Sequence, residues 1–223
     1  MTAQPELPIE REETRLPRLP IGPRFAWRPA FLSGGNNKIV APAWAYVYFK
    51  LTTRFLHGSH NNQILVGRGF RSRRLTLSIG GVGNRIEIGD DVTWTGHVQL
   101  CGINAAIRIG DRCEGKGVTI TAWDKSVHIG SDCLFADGIE IRTTDIHSIV
   151  DRATGQRVNE PEDVRIGDHV WVALHAVILK GASIPDGCVV GMRSVVTASF
   201  EEPHCLLAGN PARVVRRNIA WRR

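Results

Sequence analysis

His147 sits in a polar stretch, Thr143-Thr144-Asp145-Ile146-His147-Ser148. A free imidazole titrates near about pH 6.5, so it can take a proton from a weak nucleophile such as a hydroxyl and pass it to a leaving group. Asp145 is a residue type that can hold an imidazole in one tautomer. Farther on, Trp171 follows Gly167-Asp168-His169-Val170. Its indole N–H suits a developing oxyanion, and its face suits a sugar ring or an aliphatic chain. The plainer readings are a solvated loop histidine and a tryptophan used in subunit packing.

What must position these groups is a six-residue lattice. Ile166, Val172, Ile178, Ile184, Val190 and Val196 are evenly spaced, and small or modest side chains (Val170, Ala176, Ala182, Cys188, Ser194) follow the first five at a fixed offset. A helix places apolar residues three and four apart and a half-buried strand every second one, so the lattice excludes both. It is a hexapeptide repeat, each hexad a short strand and a corner. A second mark, an aliphatic pair before Gly-Asp or Gly-Ser, recurs at Ile88-Gly89-Asp90, Ile109-Gly110-Asp111, Ile129-Gly130-Ser131 and Ile166-Gly167-Asp168. Its spacing gives three hexads to a coil, with short corner insertions in the early coils. The expected fold is all-β, a triangular parallel β-helix with coils about 4.8 Å apart. The lattice breaks between Ile141 and Ile166, and the turn-rich residues Asp151, Thr154-Gly155, Asn159 and Pro161 predict a projecting loop over 142–165 that carries His147.

The chain has 223 residues, a formal net charge of +6 and a pI of about 9.4. That balance suits an anionic ligand, an acidic glycan or a membrane surface, and no nucleic-acid-binding motif is present. Cys113, Cys133 and Cys188 fall on inward small positions, which makes them core residues of a reducing compartment. No signal peptide opens the chain and no apolar run reaches the roughly 20 residues of a membrane span, so the cytoplasm is expected, possible contact with the inner membrane face aside. Residues 1–60 form an N-terminal unit: a proline-rich arm, then a helix over 42–56. That helix either caps the first coil or lies at a membrane interface with Lys50 and Arg54 at lipid headgroups. The β-helix follows over 61–213, and a basic tail over 214–223.

Asp145-x-His147, Thr154-Gly155, Asn159, the stretch Ile166 to Trp171, Ser194-Val195-Val196-Thr197 and Gly209-Asn210-Pro211-Ala212-Arg213 together resemble the hexapeptide-repeat acetyltransferases. The nearest likeness is to bacterial O-acetyltransferases of surface-polysaccharide sugars, and it covers roughly residues 60 to 223. The resemblance implies a left-handed β-helix, a homotrimer, and acetyl-CoA as co-substrate in clefts between prisms, with a sugar or glycan as acceptor and no metal. It implies His147 as general base in direct transfer without an acyl-enzyme, with Asp145 orienting it and Trp171 lining the site. Met192 and Thr197 match positions along the pantetheine, and Arg213 and Arg216 match basic residues near the CoA phosphates. Three positions depart from the pattern. Ile146 replaces a small residue, Ala198 stands where many relatives carry lysine, and Gly117 stands where maltose- and galactoside-type enzymes carry an oxyanion asparagine.

Other functions compete. An amino-sugar N-acetyltransferase would use the same base. A zinc carbonic-anhydrase-like enzyme on this scaffold would need three converging imidazoles, whereas His169 and His175 fall on different walls. A non-catalytic trimeric scaffold would not need the histidine loop.

Overall fold

The computed structural model describes residues 31–33, 35–41 and 51–223. Among them every regular element is a β-strand, and they form a solenoid of parallel stacked coils, consistent with a left-handed β-helix. The first wall stacks Asn37–Val40, Gln63–Val66, Arg85–Ile88, Ala106–Ile109, Val127–Ile129, Val164–Ile166 and Ser183–Ile184 in parallel register. The second runs from the bridge Arg71 to Thr93 through Glu114, Leu134–Phe135, Trp171–Val172 and Val189–Val190 to Leu206–Gly209. The third stacks Leu51–Phe55, Leu75–Ile79, the far halves of Thr93–Cys101 and Glu114–Trp123, then Glu140–Arg142, Val177–Ile178 and Val195–Val196. Those two long strands bend through a corner, with a register irregularity between Trp94 and Gly96, so the second and third walls are one continuous sheet.

The hexad aliphatics point inward and are buried, as are all five cysteines, none of which is in a disulfide. The recurrent Gly-Asp mark has a mechanical reason. At one corner each such side chain accepts a backbone N–H from the preceding coil: Arg68 to Asp90 Oδ1 at 2.9 Å, Asp90 to Asp111 Oδ1 at 2.9 Å, Ser131 to Asp168 Oδ1 at 2.6 Å and Asp168 to Asp186 Oδ1 at 2.7 Å. This supplies acceptors where the strand ladder is interrupted by a turn. The glycine leaves room: a Cβ on Gly167 would meet Asp186 Oδ1 at 2.1 Å. At another corner, just before the first-wall strands, the early coils add buried asparagines, with the N–H of Asn62, Asn84 and Ala105 donating to Asn37, Asn62 and Asn84 in turn.

The expected helix over 42–56 fails where it can be judged. Residues 42–50 lie outside the described residues, and Leu51–Phe55 is a strand pairing in parallel with Leu75–Ile79. Thr52 and Thr53 suit a pleated surface, and Phe55 packs on the core, so pairing with the next coil prevails over the helical apolar pattern. The parallel pairing of Asn37–Val40 with Gln63–Val66 also puts the start of the solenoid before residue 61. Nor is the basic C-terminus a free tail. Ala212–Arg216 turns back on Leu206–Gly209 as an antiparallel hairpin with a cis Asn210–Pro211 bond, and the residues after it lie down the corner between the first and second walls. Among the described residues no helix is long and apolar enough to cross a membrane.

Candidate active site

The loop between Glu140–Arg142 and Val164–Ile166 leaves the prism at the corner where the third wall meets the first. Thr143 and Thr144 are buried at its root, and the Thr144 hydroxyl accepts the N–H of Ile146 at 3.0 Å. Ile146 holds φ +65°, a left-handed conformation that costs a β-branched residue about 1–3 kcal/mol. This is the position where the resemblance favours a small residue, and the backbone explains why. The turn projects His147 into solvent, with its N–H donating to Asp145 O at 2.7 Å. Among the described residues the imidazole has no hydrogen-bond partner, so both ring nitrogens are open to a substrate.

Asn159 holds this turn. Its Nδ2 donates to Asp145 Oδ2 at 2.8 Å and to the carbonyl of His147 at 2.9 Å, while its Oδ1 accepts from the N–H of Ile149 at 2.7 Å and from Arg157 Nε at 3.2 Å. Asp145 completes the clamp by accepting from Lys180 Nζ at 2.6 Å, which ties the loop to the next coil. Lys180 first and Asn159 second hold the Asp145 carboxyl below its usual range. Both recorded partners of that carboxylate are therefore other than the His147 ring. Asp145 thereby ties the loop to the prism. Asn159 was legible only as a member of a motif, and Lys180 had no sequence signal, because its role comes from coil stacking.

Trp171 lies on the second wall, 36 % exposed. It stands in a column that runs along the solenoid axis through Arg71, Thr93, Glu114, Leu134 and Trp171 and on to Val189, one residue per coil. This column and its neighbours line a groove of about 990 Å³, largely apolar along its floor. The C-terminal segment flanks the groove. Trp221 stacks on His169 with ring centroids 4.2 Å apart, donates its indole N–H to His169 O at 2.8 Å, and lies 6.2 Å from the Trp171 ring. Arg223 bridges Glu114 at 2.9 Å and donates to the carbonyl of Arg112 at 2.9 Å.

One chain does not bring the expected residues together. His147 leaves from the corner opposite the second wall, whereas Trp171 faces outward from that wall. Thr197 follows the third-wall strand Val195–Val196, which stacks on Val177–Ile178, and this places it toward the His147 edge. Met192, exposed, is in the turn between the second and third walls. Arg213 and Arg216 are exposed on the terminal hairpin, with Arg213 Nη1 donating to Ala212 O at 2.8 Å. Gly117, at φ +61°, donates its N–H to Thr95 Oγ1, and a Cβ there would meet Asp137 Oδ1 at 2.3 Å, so a side chain at this turn requires the Asp137 carboxylate to swing aside. His169 and His175 occupy left-handed turns at two different corners. Among the described residues no group of three or more His, Cys, Asp or Glu side chains converges as a metal site would require.

No family model matches the chain. It is 37% identical over 165 residues to a polysialic acid O-acetyltransferase of Neisseria meningitidis, a match spanning 74% of this chain and 77% of that protein. It is 32% identical over 135 residues to a polysialic acid O-acetyltransferase of Escherichia coli O1:K1 / APEC, covering 60% of this chain and 41% of that longer one. Among solved structures it resembles the polysialic acid O-acetyltransferase OatWY, with a TM-score of 0.69 and 32% identity over 78% of this chain and 89% of that one. It also resembles the polySia-specific acetyltransferase NeuO, with a TM-score of 0.60 and 27% identity over 77% and 83% of the two chains.

Proposed function

From the premise that this chain belongs to the hexapeptide-repeat acetyltransferases related to the polysialic acid O-acetyltransferases, we propose that it transfers acetyl from acetyl-CoA to a hydroxyl of a bacterial surface-polysaccharide sugar, with His147 as general base. The observation that carries this reading is the clamped turn. Asn159 and Lys180 fix the backbone around His147 while leaving its ring free. That arrangement pre-positions a base without committing it to an internal partner.

In the reaction the imidazole removes the hydroxyl proton as the oxygen attacks the thioester carbonyl. The tetrahedral oxyanion collapses, the C–S bond breaks, and the imidazolium returns its proton to the CoA thiolate. Acetate ester and free thiol are the products, and no acyl-enzyme forms. Trp171 stacks on the acceptor or on the pantetheine, or donates its indole N–H to the oxyanion. Thr197 and Met192 flank the pantetheine, and Arg213 and Arg216 meet the CoA phosphates, for which guanidinium forks are suited.

Because His147 and Trp171 lie on opposite sides of one prism, a complete site takes the histidine edge of one copy and the tryptophan wall of another. A closed homotrimer meets that need with three equivalent sites.

His147→Ala is the test. Transfer to a sugar acceptor should fall by about 10²–10⁴-fold with acetyl-CoA affinity near wild type by calorimetry. An active variant would remove the mechanism, and a wild-type protein that does not bind acetyl-CoA would remove the function.

A further inference from the structure

The strand ladder fixes the backbone of Trp171 but does not choose the orientation of its ring. The N–H of His169 donates to Ser131 O at 2.8 Å and that of Trp171 to Cys188 O at 3.0 Å, so the segment is bonded to the coils on both sides. An outward side chain on a strand still has two common χ1 settings, near 180° and −60°. Among the described residues the indole N–H of Trp171 has no hydrogen-bond partner, so no polar contact selects between them. The one aromatic ring against it among those residues is Trp221, tilted by 45° with centroids 6.2 Å apart.

Trp221 is itself firmly held. It is buried, its face lies on the His169 ring with only 9° between the planes, its indole N–H is bonded to His169 O, and its carbonyl is 3.4 Å from His169 Nε2. The chain is pinned again on either side of it. The Ile219 N–H donates to His204 O at 2.8 Å, and Arg223 reaches Glu114 and the carbonyls of Arg112 and Cys133. Residues 219–223 thus form a strap down the corner between the first and second walls, from the coil of His204 to that of Arg112. Its far anchor, Glu114, stands in the column of Trp171 and lines the groove with it. We infer that Trp221 is a positioning residue of the transferase site: it holds the Trp171 ring in the single orientation in which that ring meets substrate, and Arg223 keeps the strap seated. A braced ring loses less rotamer freedom when a ligand stacks on it, so binding and orientation both gain. The inference rests on the transferase reading and adds residues 219–223 to the site.

The test is a double-mutant cycle on Trp171 and Trp221, read both in turnover and without substrate. With acetyl-CoA and oligosialic acid as the acceptor probe, Trp221→Ala should lower kcat/KM by about tenfold, and Trp221→Phe, which keeps a stacked ring and loses the indole hydrogen bond, should restore most of it. In a Trp171→Ala background, Trp221→Ala should lower kcat/KM no further, although it still lowers the melting temperature. Without substrate, the protein is labelled with 5-fluorotryptophan and the Trp171 line is assigned by its absence from Trp171→Phe. That line should be single and narrow in wild type, broadened or split in Trp221→Ala and less so in Arg223→Gln, while the line of the core residue Trp94 stays as it was. An additive loss of kcat/KM in the double variant would overturn the inference, as would one narrow Trp171 line in Trp221→Ala. A Trp94 line that broadens alongside would assign Trp221 to general support of the prism and overturn it too. Because the fluorine lines are read without any ligand, failure of the transferase reading appears separately, as absence of acetyl-CoA binding in wild type.

Discussion

The histidine edge and the tryptophan wall are held in place by different means. His147 rides on an exposed turn whose position depends on one buried asparagine, one lysine and a strained Ile146. Trp171 belongs to a ladder in which each residue is bonded to the coils on either side, and it is flanked by a C-terminal segment that contacts one coil after another. The base therefore sits on an element that a few side chains can displace. The binding surface sits on one that moves only if the solenoid does. In a reaction where a proton must be taken at the moment of attack, the sensitive geometry is concentrated in the smaller and softer region.

That contrast is broken most decisively by separating the two regions onto different copies. His147→Ala and Trp171→Ala should each be strongly impaired, yet if a site combines the two regions from neighbouring copies, co-assembled variants should recover up to about a quarter of wild-type activity by random mixing. No recovery would place both residues in one copy's site. Next in size is Asn159→Ala. It frees the turn on both sides of His147, so kcat should drop by about 100-fold from misplacement of the base, with acetyl-CoA affinity and the melting temperature little changed. A matching loss of melting temperature would mean that the loop supports the prism.

Trp221→Ala tests the other region and should show the reverse pattern. It removes a buried ring stacked on His169, so stability should fall by about 2–3 kcal/mol in denaturant unfolding, with a smaller effect on kcat than Asn159→Ala. The smallest effect concerns pH. The folded Asp145 carboxyl is depressed below its ordinary value of 3.8. The tie to Lys180 is therefore fully present above that value and is lost as pH falls through the lower folded value. Hydrogen exchange across residues 145–159 should be flat with pH from neutral to mild acid, after correction for intrinsic rates, and should rise only below about pH 4. Lys180→Met should raise the pH at which the loop loosens.

The hexad spacing determined the prism, the corner marks counted its hexads per coil, and the break between Ile141 and Ile166 located the histidine loop. Each is a local periodicity that burial imposes directly on residue type. The Gly-Asp mark was legible for the same reason, since a side chain bonded to the preceding coil recurs once per turn. The strand Leu51–Phe55 was misread because its apolar content also fits a helix, and only its parallel partner Leu75–Ile79 decides between them. The clamp of Asn159 and Lys180 on Asp145, the docking of Trp221 and Arg223, and the alignment of Arg71 with Trp171 along one groove join residues distant in the chain. Stacking brings those residues together at about 4.8 Å per coil whatever their separation in sequence.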